Sequence, residues 1–416
     1  MANHVNLAAT LRRDSVLSNA VQQEPQSQSV LVDITPTVAG AGRTVLNFAL
    51  VIDNSGSMGD VDRSGQRKLD GVKSAAAAIV DGLQPEDYAC VVVFSDDAYV
   101  VFPSQPVSKK DQLKAVIKQI QLDGGTQMAL GMKQAMEQVR QNQAPGRTSR
   151  MVLLTDGETA DADECPALAT ECANLGIPIT PFGIGAEWNQ ALLDDVGTRS
   201  GGKAAEYVEA ADKVAAAFQA EMQNMTGTVI DNAELSLREI PKGAAIVRMF
   251  KVLPQLVLVS DADLTEKSEK RYSMRLGQMA QNETVQVLYE LAIPPKPAGR
   301  FRIGQLELAY DVPQLGLVRQ SARSDVVVNY VNDRALVIDN PRVVNIGQVA
   351  NTQRLVLEAM DGKKDPKTLR LNPNVTQQLP QATRKLLEGF AAGQELNEAD
   401  KKKLTGDLRK TQRLSQ

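Results

Sequence analysis

The sequence predicts a protein whose central part is an α/β domain with a mostly parallel, doubly wound sheet. Apolar runs of strand length alternate with helix-forming stretches between about residue 43 and residue 226. Such alternation favours right-handed strand–helix–strand crossovers, which place helices on both faces of a sheet. Short strand-like runs without intervening helices follow, and the pattern becomes helical again towards the end of the chain. We therefore divide the chain into residues 1–42, 43–226, 227–335 and 336–416.

The first segment contains two stretches of alternating polarity, near residues 4–11 and 30–34, separated by a polar run at 22–29. These stretches predict a β-hairpin or two edge strands joined by a loose loop. They could complete the sheets of a β-sandwich that residues 227–335 otherwise form. The α/β domain would then be an insertion between the N-terminal strands and the rest of the sandwich.

The elements of the α/β domain follow from its hydrophobic patterning. Predicted strands are 45–52, 88–94, 98–102, 150–155 and 177–184. Predicted helices are 68–83, 111–120, 128–142, 164–174, 189–196 and 212–225. The short Ser-Asp-Asp link after Phe94 makes the second and third strands an antiparallel hairpin at one edge. Asp111 is the expected N-cap of the second helix, and Gly176 is expected to close the fourth.

The rest of the chain predicts a β-sandwich and then a basic helical tail. Seven short strands separated by turns are typical of a sandwich, and they are expected at 228–237, 245–253, 255–259, 271–276, 284–293, 300–310 and 325–331. In the tail, one helical face is expected to carry Leu379, Ala382, Leu386 and Phe390, and the last helix to be capped by Asn397 and to bury Leu404 and Leu408.

Charge and composition exclude several classes of function. The net charge of the chain is −4, which does not favour coating nucleic acid. Residues 341–416 hold 14 basic and 8 acidic residues, so this tail is expected to dock on the acidic body or stay solvated, with binding of an acidic partner as the alternative. Nucleic acid is disfavoured because Phe390 is the tail's single aromatic residue.

The single histidine, His4, removes most histidine-based catalysis and histidine-ligated zinc from consideration. The cysteines Cys90, Cys165 and Cys172 are interpreted as packing residues. No apolar stretch reaches the roughly 18 residues of a membrane-spanning helix, and the first residues lack the apolar segment of a signal peptide. These features lead us to expect a cytoplasmic protein without a membrane span.

Polar side chains lie on three predicted loops, two of which directly follow a strand and one of which precedes a helix. Asp53, Ser55 and Ser57 come directly after the apolar run that begins at Val45, Thr126 follows a Gly-Gly pair, and Asp156 ends another apolar run in Thr-Asp-Gly. In an open α/β sheet, ligands bind in the crevice at the carboxyl ends of the strands. We therefore expect these five side chains to form one site.

The five candidate residues offer only oxygen donors, three of them neutral hydroxyls and two of them carboxylates. Hard divalent cations such as Mg²⁺ prefer such donors. Because few of these ligands are anionic, a bound cation stays electrophilic and favours a further carboxylate from outside. The set therefore predicts capture of an acidic side chain through Mg²⁺ or Mn²⁺, and no catalytic residue is expected.

These motifs, in this order on strand-end loops, resemble the metal-ion-dependent adhesion site of von Willebrand factor A domains, a Rossmann-like fold. The resemblance covers about residues 43–226 and extends to Phe182-Gly183-Ile184-Gly185 and Ser200-Gly201-Gly202, which look like the family's last strand and a small C-terminal hairpin. It implies that Ser55, Ser57 and Thr126 contact the metal and that Asp53 and Asp156 act mainly through water. A partner glutamate or aspartate would fill the open position.

The flanking strands and tail are similar to those of stand-alone bacterial cytoplasmic members of the family. That similarity implies an adaptor, with an AAA-type ATPase or a phosphorylation-signalling protein as the kind of partner. The alternative hypothesis is an assembly component whose sandwich and tail make the interface and whose metal is only structural. An enzyme is disfavoured, because a Gly-x-Ser-x-Gly elbow at Ser57 would need glycine at position 55, and the Gly-Lys-Ser/Thr of a phosphate-binding loop is absent.

Overall fold

A computed structural model describes residues 4–38, 43–61, 65–156, 158–185, 188–208, 211–259, 265–268, 271–281 and 283–410. The strands are β1 (Val5–Leu11), β2 (Ser15–Leu17), β3 (Gln26–Pro36), β4 (Val45–Asp53), β5 (Tyr88–Phe94), β6 (Ala98–Pro106), β7 (Arg147–Thr155), β8 (Ile179–Ile184), β9 (Glu206–Val208), β10 (Thr228–Arg238), β11 (Ala245–Leu253), β12 (Val257–Leu258), β13 (Thr265–Ser268), β14 (Arg271–Ala280), β15 (Val285–Ile293), β16 (Gly299–Val312) and β17 (Leu317–Val331). The helices are α1 (Lys68–Gly82), α2 (Lys110–Gln119), α3 (Met128–Gln141), α4 (Cys165–Asn174), α5 (Gln190–Arg199), α6 (Ala211–Thr226), α7 (Pro341–Met360), α8 (Pro373–Thr376), α9 (Gln381–Ala391) and α10 (Glu398–Lys410).

The central domain is built on a six-stranded sheet in the order β6-β5-β4-β7-β8-β9. All its pairings are parallel except β5 with β6, which form the antiparallel edge hairpin. The sequence therefore predicted the sheet correctly, apart from β9. The carboxyl ends of β4 and β7, the two central strands, lie side by side, because Ile52 pairs with Leu154. This pairing brings together Asp53, the last residue of β4, and Asp156, which directly follows β7.

Helices cover both faces of the sheet, as the alternation of strands and helices predicted. Side chains of β4 alternate between the two faces: Leu50 and Ile52 pack with α1, α2 and α6, while Ala49 and Val51 pack with α3, α4 and α5. All three cysteines are free and buried. Because both faces are covered, strand β4 is almost continuously apolar up to its carboxyl end. The exception is Asn47, which is buried and donates to the Val139 C=O of α3 at 2.8 Å.

The flanking strands form a two-sheet sandwich, with strand orders β1-β3-β15-β11-β12 and β13-β14-β10-β16-β17-β2. One core joins the sheets and includes residues from both sides of the central domain, among them Val32 and Val287. Strands β1 and β3 pair antiparallel, as the hairpin alternative predicted. The alternative of two edge strands was wrong for β3, which lies between β1 and β15. Strand β2 pairs in parallel with β17 over Asn329–Val331, an arrangement that no local pattern indicated.

Two further local predictions were wrong. Asp111 lies in the first turn of α2, and Lys109 takes the N-cap position. The segment after Ser200 does not form a hairpin: Gly201 adopts a positive φ of 81°, and the chain then continues into β9, which runs parallel to β8. A three-residue strand gives too short a pattern to be recognised in the sequence.

The tail forms helices that dock on the rest of the protein, as expected for the plainer of the two interpretations. Helix α7 packs Val343 and Ile346 against the sandwich residues Phe250 and Leu288. The last helix, α10, buries Leu404 and Leu408, and the Asn397 side chain caps its first turn by accepting from the Asp400 N–H at 2.8 Å. None of the described helices is long and apolar enough to span a membrane.

The predicted apolar face around α9 was correct at Leu379 and Phe390, which are buried, and was displaced by about one residue between them. Its buried residues are Thr383, Leu387 and Phe390, whereas Ala382 is exposed. Thr383 is buried because its hydroxyl donates to the Asp407 carboxylate of α10. A hydrogen bond between two helices thus decided the burial of a polar residue, which hydrophobic spacing alone does not reveal.

Arg409 forms polar links from α10 to both the central domain and the sandwich. Its guanidinium forms a bidentate pair with Asp194 of α5, one branch at 3.0 Å, and its backbone C=O accepts from the Leu256 N–H at 3.0 Å. We expect Arg409→Ala to loosen α10 by about 2 kcal/mol or more, because it leaves a partly buried carboxylate without its cation. Faster amide hydrogen exchange in α10 would be the readout.

Lys410→Ala is the matched control for this prediction. The Lys410 side chain is 52% exposed and lies 3.6 Å from Glu206, so its removal should change exchange in α10 by less than about 0.5 kcal/mol. Equal exchange rates in α10 of the Arg409→Ala variant and the native protein would show that α10 docks without the Arg409–Asp194 pair.

Candidate metal centre

Strand β4 delivers Asp53 to the centre of the site. The carboxylate is fully buried, with Oδ1 accepting from the Ser55 N–H at 2.9 Å and Oδ2 accepting from the Thr155 hydroxyl at 2.6 Å. The first contact shapes the loop after β4, and the second ties that loop to the end of β7. These two hydrogen bonds therefore fix the orientation of the Asp53 carboxylate without any ligand.

Burial, with a smaller effect of the neighbouring charge of Asp156, raises the pKa of Asp53 to about 6. The hydrogen bonds from Ser55 and Thr155 act in the opposite direction. An anion that is fully removed from water is costly unless a positive charge lies close to it. A cation above Asp53 would lower this cost. The electrostatics of the site therefore fit a bound cation.

Three loops carry the candidate residues: the first follows β4, the second precedes α3 and the third follows β7. A continuous row of oxygens runs from the first loop to the third. The hydroxyls of Ser55 and Ser57 lie 3.2 Å apart, and the Ser57 hydroxyl donates to Asp156 Oδ1 at 2.8 Å. Ser55 and Asp156 are buried, with 2% and 1% of their surfaces exposed. Four of the five predicted residues are thus brought together by β4, β7 and the turn that follows β4.

The second loop, which carries Thr126, is fastened to the first by backbone hydrogen bonds. The Asp123 N–H donates to the Asn54 C=O at 2.8 Å, and the Gly56 N–H donates to the Gly124 C=O at 3.1 Å. A Cβ on Gly124 would lie 1.8 Å from the Asp96 carboxylate, and one on Gly125 would lie 2.4 Å from it. A side chain at either position would therefore displace the exposed Asp96 side chain from its place beside this loop.

Thr126 also contacts the loop that follows Asp156. Its backbone C=O accepts from the Ala160 N–H at 3.0 Å and from the Thr159 hydroxyl at 3.1 Å. Thr126 is half-buried, between the first and third loops. Asp161 accepts from the Leu130 N–H at 3.3 Å and so holds the third loop against the start of α3.

Sequence reasoning missed two polar residues of the site, Thr155 and Lys68. Thr155 hydrogen-bonds to Asp53 as described above, and the Lys68 ammonium lies 2.5 Å from Asp156 Oδ2. Thr155 was the last residue of a recognised strand and could have been found as the neighbour of Asp156. Lys68 stands 88 residues before Asp156, at the start of a helix, and gave no local signal.

The donor set fits a hard divalent cation. Among the described residues there is no group of three or more His, Cys, Asp or Glu side chains arranged to hold a metal ion. Any cation here would depend on the hydroxyls of Ser55, Ser57 and Thr126 as well as on the two carboxylates. Such a set suits Mg²⁺ or Mn²⁺, which accept oxygen ligands and retain positions for water or an outside carboxylate.

Comparison with known proteins supports the fold of the central domain. The sequence model of the von Willebrand factor type A domain matches residues 47–228. A solved structure described as von Willebrand factor type A from Catenulispora acidiphila superposes with a TM-score of 0.75 at 18% identity, over 98% of this chain and 97% of that chain. That likeness shows that the flanking sandwich and tail, and not only the central domain, recur in another protein.

Two curated relatives are uncharacterized proteins from bacteria. One, from Synechocystis sp., is 30% identical over 66% of this chain and 63% of its own length. The other, YfbK of Escherichia coli, is 24% identical over 47% of this chain and 34% of its own length. The chain thus spans less than two thirds of the curated relatives it matches.

Proposed function

We propose, from the premise that residues 47–228 are a von Willebrand factor type A domain, that this protein binds a protein partner through a divalent cation. The cation, Mg²⁺ or Mn²⁺, would be held by Asp53, Ser55, Ser57, Thr126 and Asp156. It would offer an open coordination position to a glutamate or aspartate of the partner. The family mediates metal-dependent protein–protein interactions in general; the site residues, the metal and the partner's carboxylate are our proposal for this chain.

The row of hydroxyl and carboxylate oxygens that joins Ser55, Ser57 and Asp156 carries this proposal. Its members come from two loops that meet only when β4 and β7 pair, at the edge of the sheet where ligands of α/β folds bind. Only two of the five residues are anionic, so their negative charge does not exceed the charge of a divalent cation. A carboxylate from outside therefore remains attractive to it.

We propose binding rather than catalysis for the same site. Its described side chains include neither an imidazole nor a thiol, and its hydroxyls lie beside carboxylates that are already engaged by Ser55, Thr155 and Lys68. A serine nucleophile needs a base that is free to take its proton. We further propose a cytoplasmic adaptor, with an AAA-type ATPase or a phosphorylation-signalling protein as candidate partners.

Affinity capture from a lysate of the cells that make the protein tests this function. The native protein should retain a partner in Mg²⁺ and lose it in EDTA. The double variant Ser55→Ala/Ser57→Ala should lose the same partner in Mg²⁺, because it lacks two of the proposed ligands. Ser74→Ala is the matched control, since the Ser74 hydroxyl donates to the Asp70 C=O within α1.

Capture of the same proteins in all lanes would contradict metal-bridged binding. It would support the alternative that the sandwich and tail make the interface and that the metal only stabilises the fold. Large apolar side chains are exposed outside the central domain, for instance Val318 at 62% and Ile338 at 72% exposure. A contiguous patch of such side chains would mark a protein contact.

A further inference from the structure

Lys68 is a nearly buried cation inside the candidate metal centre. Its side chain is 9% exposed, and its Nζ lies 2.5 Å from Asp156 Oδ2 and 3.8 Å from Asp60 Oδ2. The Asp156 side chain is fully buried, whereas that of Asp60 is 64% exposed. The pair with Asp156 is therefore the strong one, because a desolvated ion pair is screened far less than an exposed one.

The position of Lys68 is set by the fold on both sides. Its backbone N–H donates to the Asp60 C=O at 3.1 Å, which starts α1 next to the first loop. On the other side, its Nζ lies 4.0 Å from the point that a Cβ on Gly185 would occupy. The ammonium is thus enclosed between α1, the end of β7 and the turn after β8.

The two oxygens of Asp156 are divided between two roles. Oδ2 pairs with Lys68, and Oδ1 accepts from the Ser57 hydroxyl at 2.8 Å. Oδ1 therefore faces the row of hydroxyls that would hold the cation, while Lys68 approaches from the other oxygen. A cation and the ammonium can be bound to the same carboxylate together, so Lys68 need not leave when the metal arrives.

We propose that Lys68 sets the charge of the loaded site and thereby selects a carboxylate as the outside ligand; this inference rests on the proposed function. Asp53 and Asp156 supply two negative charges, which a divalent cation alone would cancel. Lys68 adds one positive charge. The charge of Asp60 opposes it only weakly, because the Asp60 side chain is 64% exposed and screened by solvent. The buried part of the loaded site therefore carries a net positive charge towards the partner. The same charge repels the incoming metal, and Lys68 therefore weakens metal binding while it strengthens carboxylate binding.

Lys68→Met tests both the effect on metal binding and the effect on carboxylate binding, because methionine keeps roughly the length of the side chain and removes its charge. We expect the dissociation constant for Mn²⁺, measured by electron paramagnetic resonance, to fall at least about tenfold, as removal of a nearby unit charge predicts. Acetate binding to the Mn²⁺-loaded protein, followed by water-proton relaxation, should weaken at least about threefold. The two affinities should thus change in opposite directions.

Two further variants separate the charge of Lys68 from its place in the fold. Lys68→Arg keeps the charge and should bind Mn²⁺ within about threefold of the native protein, even if Lys68→Met folds poorly. Lys73→Met removes the same charge from another position of α1 and should leave both affinities unchanged. If Lys68→Arg weakened Mn²⁺ binding by the same factor by which Lys68→Met strengthened it, the result would also contradict a charge effect.

The outcomes distinguish this inference from the proposed function. Native protein that binds no Mn²⁺ would overturn the proposed metal-bridged function and the inference with it. Native protein that binds Mn²⁺, together with an unchanged or weaker affinity in Lys68→Met, would overturn the role of Lys68 alone. Unchanged acetate binding in the loaded Lys68→Met protein would overturn the selection of a carboxylate.

Discussion

Asp53→Asn should weaken binding of Mn²⁺ by about 10- to 100-fold, the range found when a group that orients a metal's ligands is lost. The amide keeps an oxygen acceptor for the Ser55 N–H, so the first loop should keep its shape. The charge beneath the cation is what disappears. Isothermal titration with Mn²⁺ measures the loss directly.

The same substitution should stabilise the metal-free protein at pH 7.5 by about 1–3 kcal/mol, since one pKa unit corresponds to about 1.4 kcal/mol. Burial raises the pKa of Asp53 from 3.8 to about 6. The folded state therefore holds its proton more strongly than the unfolded chain, and stability is lost as the pH rises from about 4 through 6. The Asn variant lacks this loss.

Asp70→Asn provides the control, because Asp70 is exposed in the first turn of α1 and carries the same charge. It should leave the Mn²⁺ affinity within about twofold of native. Retention of native Mn²⁺ affinity in Asp53→Asn would show that any cation at this end of the sheet is held without Asp53.

Arg150→Met should lower the free energy of unfolding by about 3–5 kcal/mol, the cost of removing one partner of a buried ion pair. Arg150 in β7 and Glu221 in α6 form that pair, and each side chain is 6% exposed. Arg150 also donates to Gln278 Oε1 of the sandwich, from Nε at 3.0 Å and from Nη2 at 2.6 Å. One side chain therefore joins the central domain to the sandwich.

The pH dependence of this loss follows from Glu221. Burial by itself raises the pKa of Glu221, but the charges of Arg150 and Lys203 outweigh it, and the pKa is lowered to about 2. In the native protein the pair therefore stabilises the fold fully above pH 4.5, and the contribution is lost as the pH falls from 4.5 towards 2. Without Arg150, Glu221 takes up a proton more readily, so the deficit should shrink on acidification.

Urea unfolding followed by the fluorescence of Trp188, the chain's single tryptophan, measures both effects. Arg275→Met is the matched control, since Arg275 of β14 makes an exposed hydrogen bond to Asn174 at 2.6 Å. It should cost less than about 1 kcal/mol. A loss below 1 kcal/mol in Arg150→Met would show that the stability of the fold does not depend on this ion pair.

The sequence alone determined the central sheet and the candidate ligands. Strand β4 is apolar between Phe48 and Ile52, and the change to Asp53, Ser55 and Ser57 marks where the strand leaves the core. Both signals are local in the chain, because side-chain periodicity and turn chemistry depend on near neighbours. The oxygen-only character of the site could likewise be read from five residues.

Only the tertiary structure decided which other residues surround those ligands. Lys68 pairs with Asp156, and Thr155 donates to Asp53. These contacts join positions 88 and 102 residues apart in the sequence, and no local pattern indicates which residue pairs with which. Contacts of this kind depend on strand pairing and helix docking across the whole chain, which local patterns restrict but do not specify.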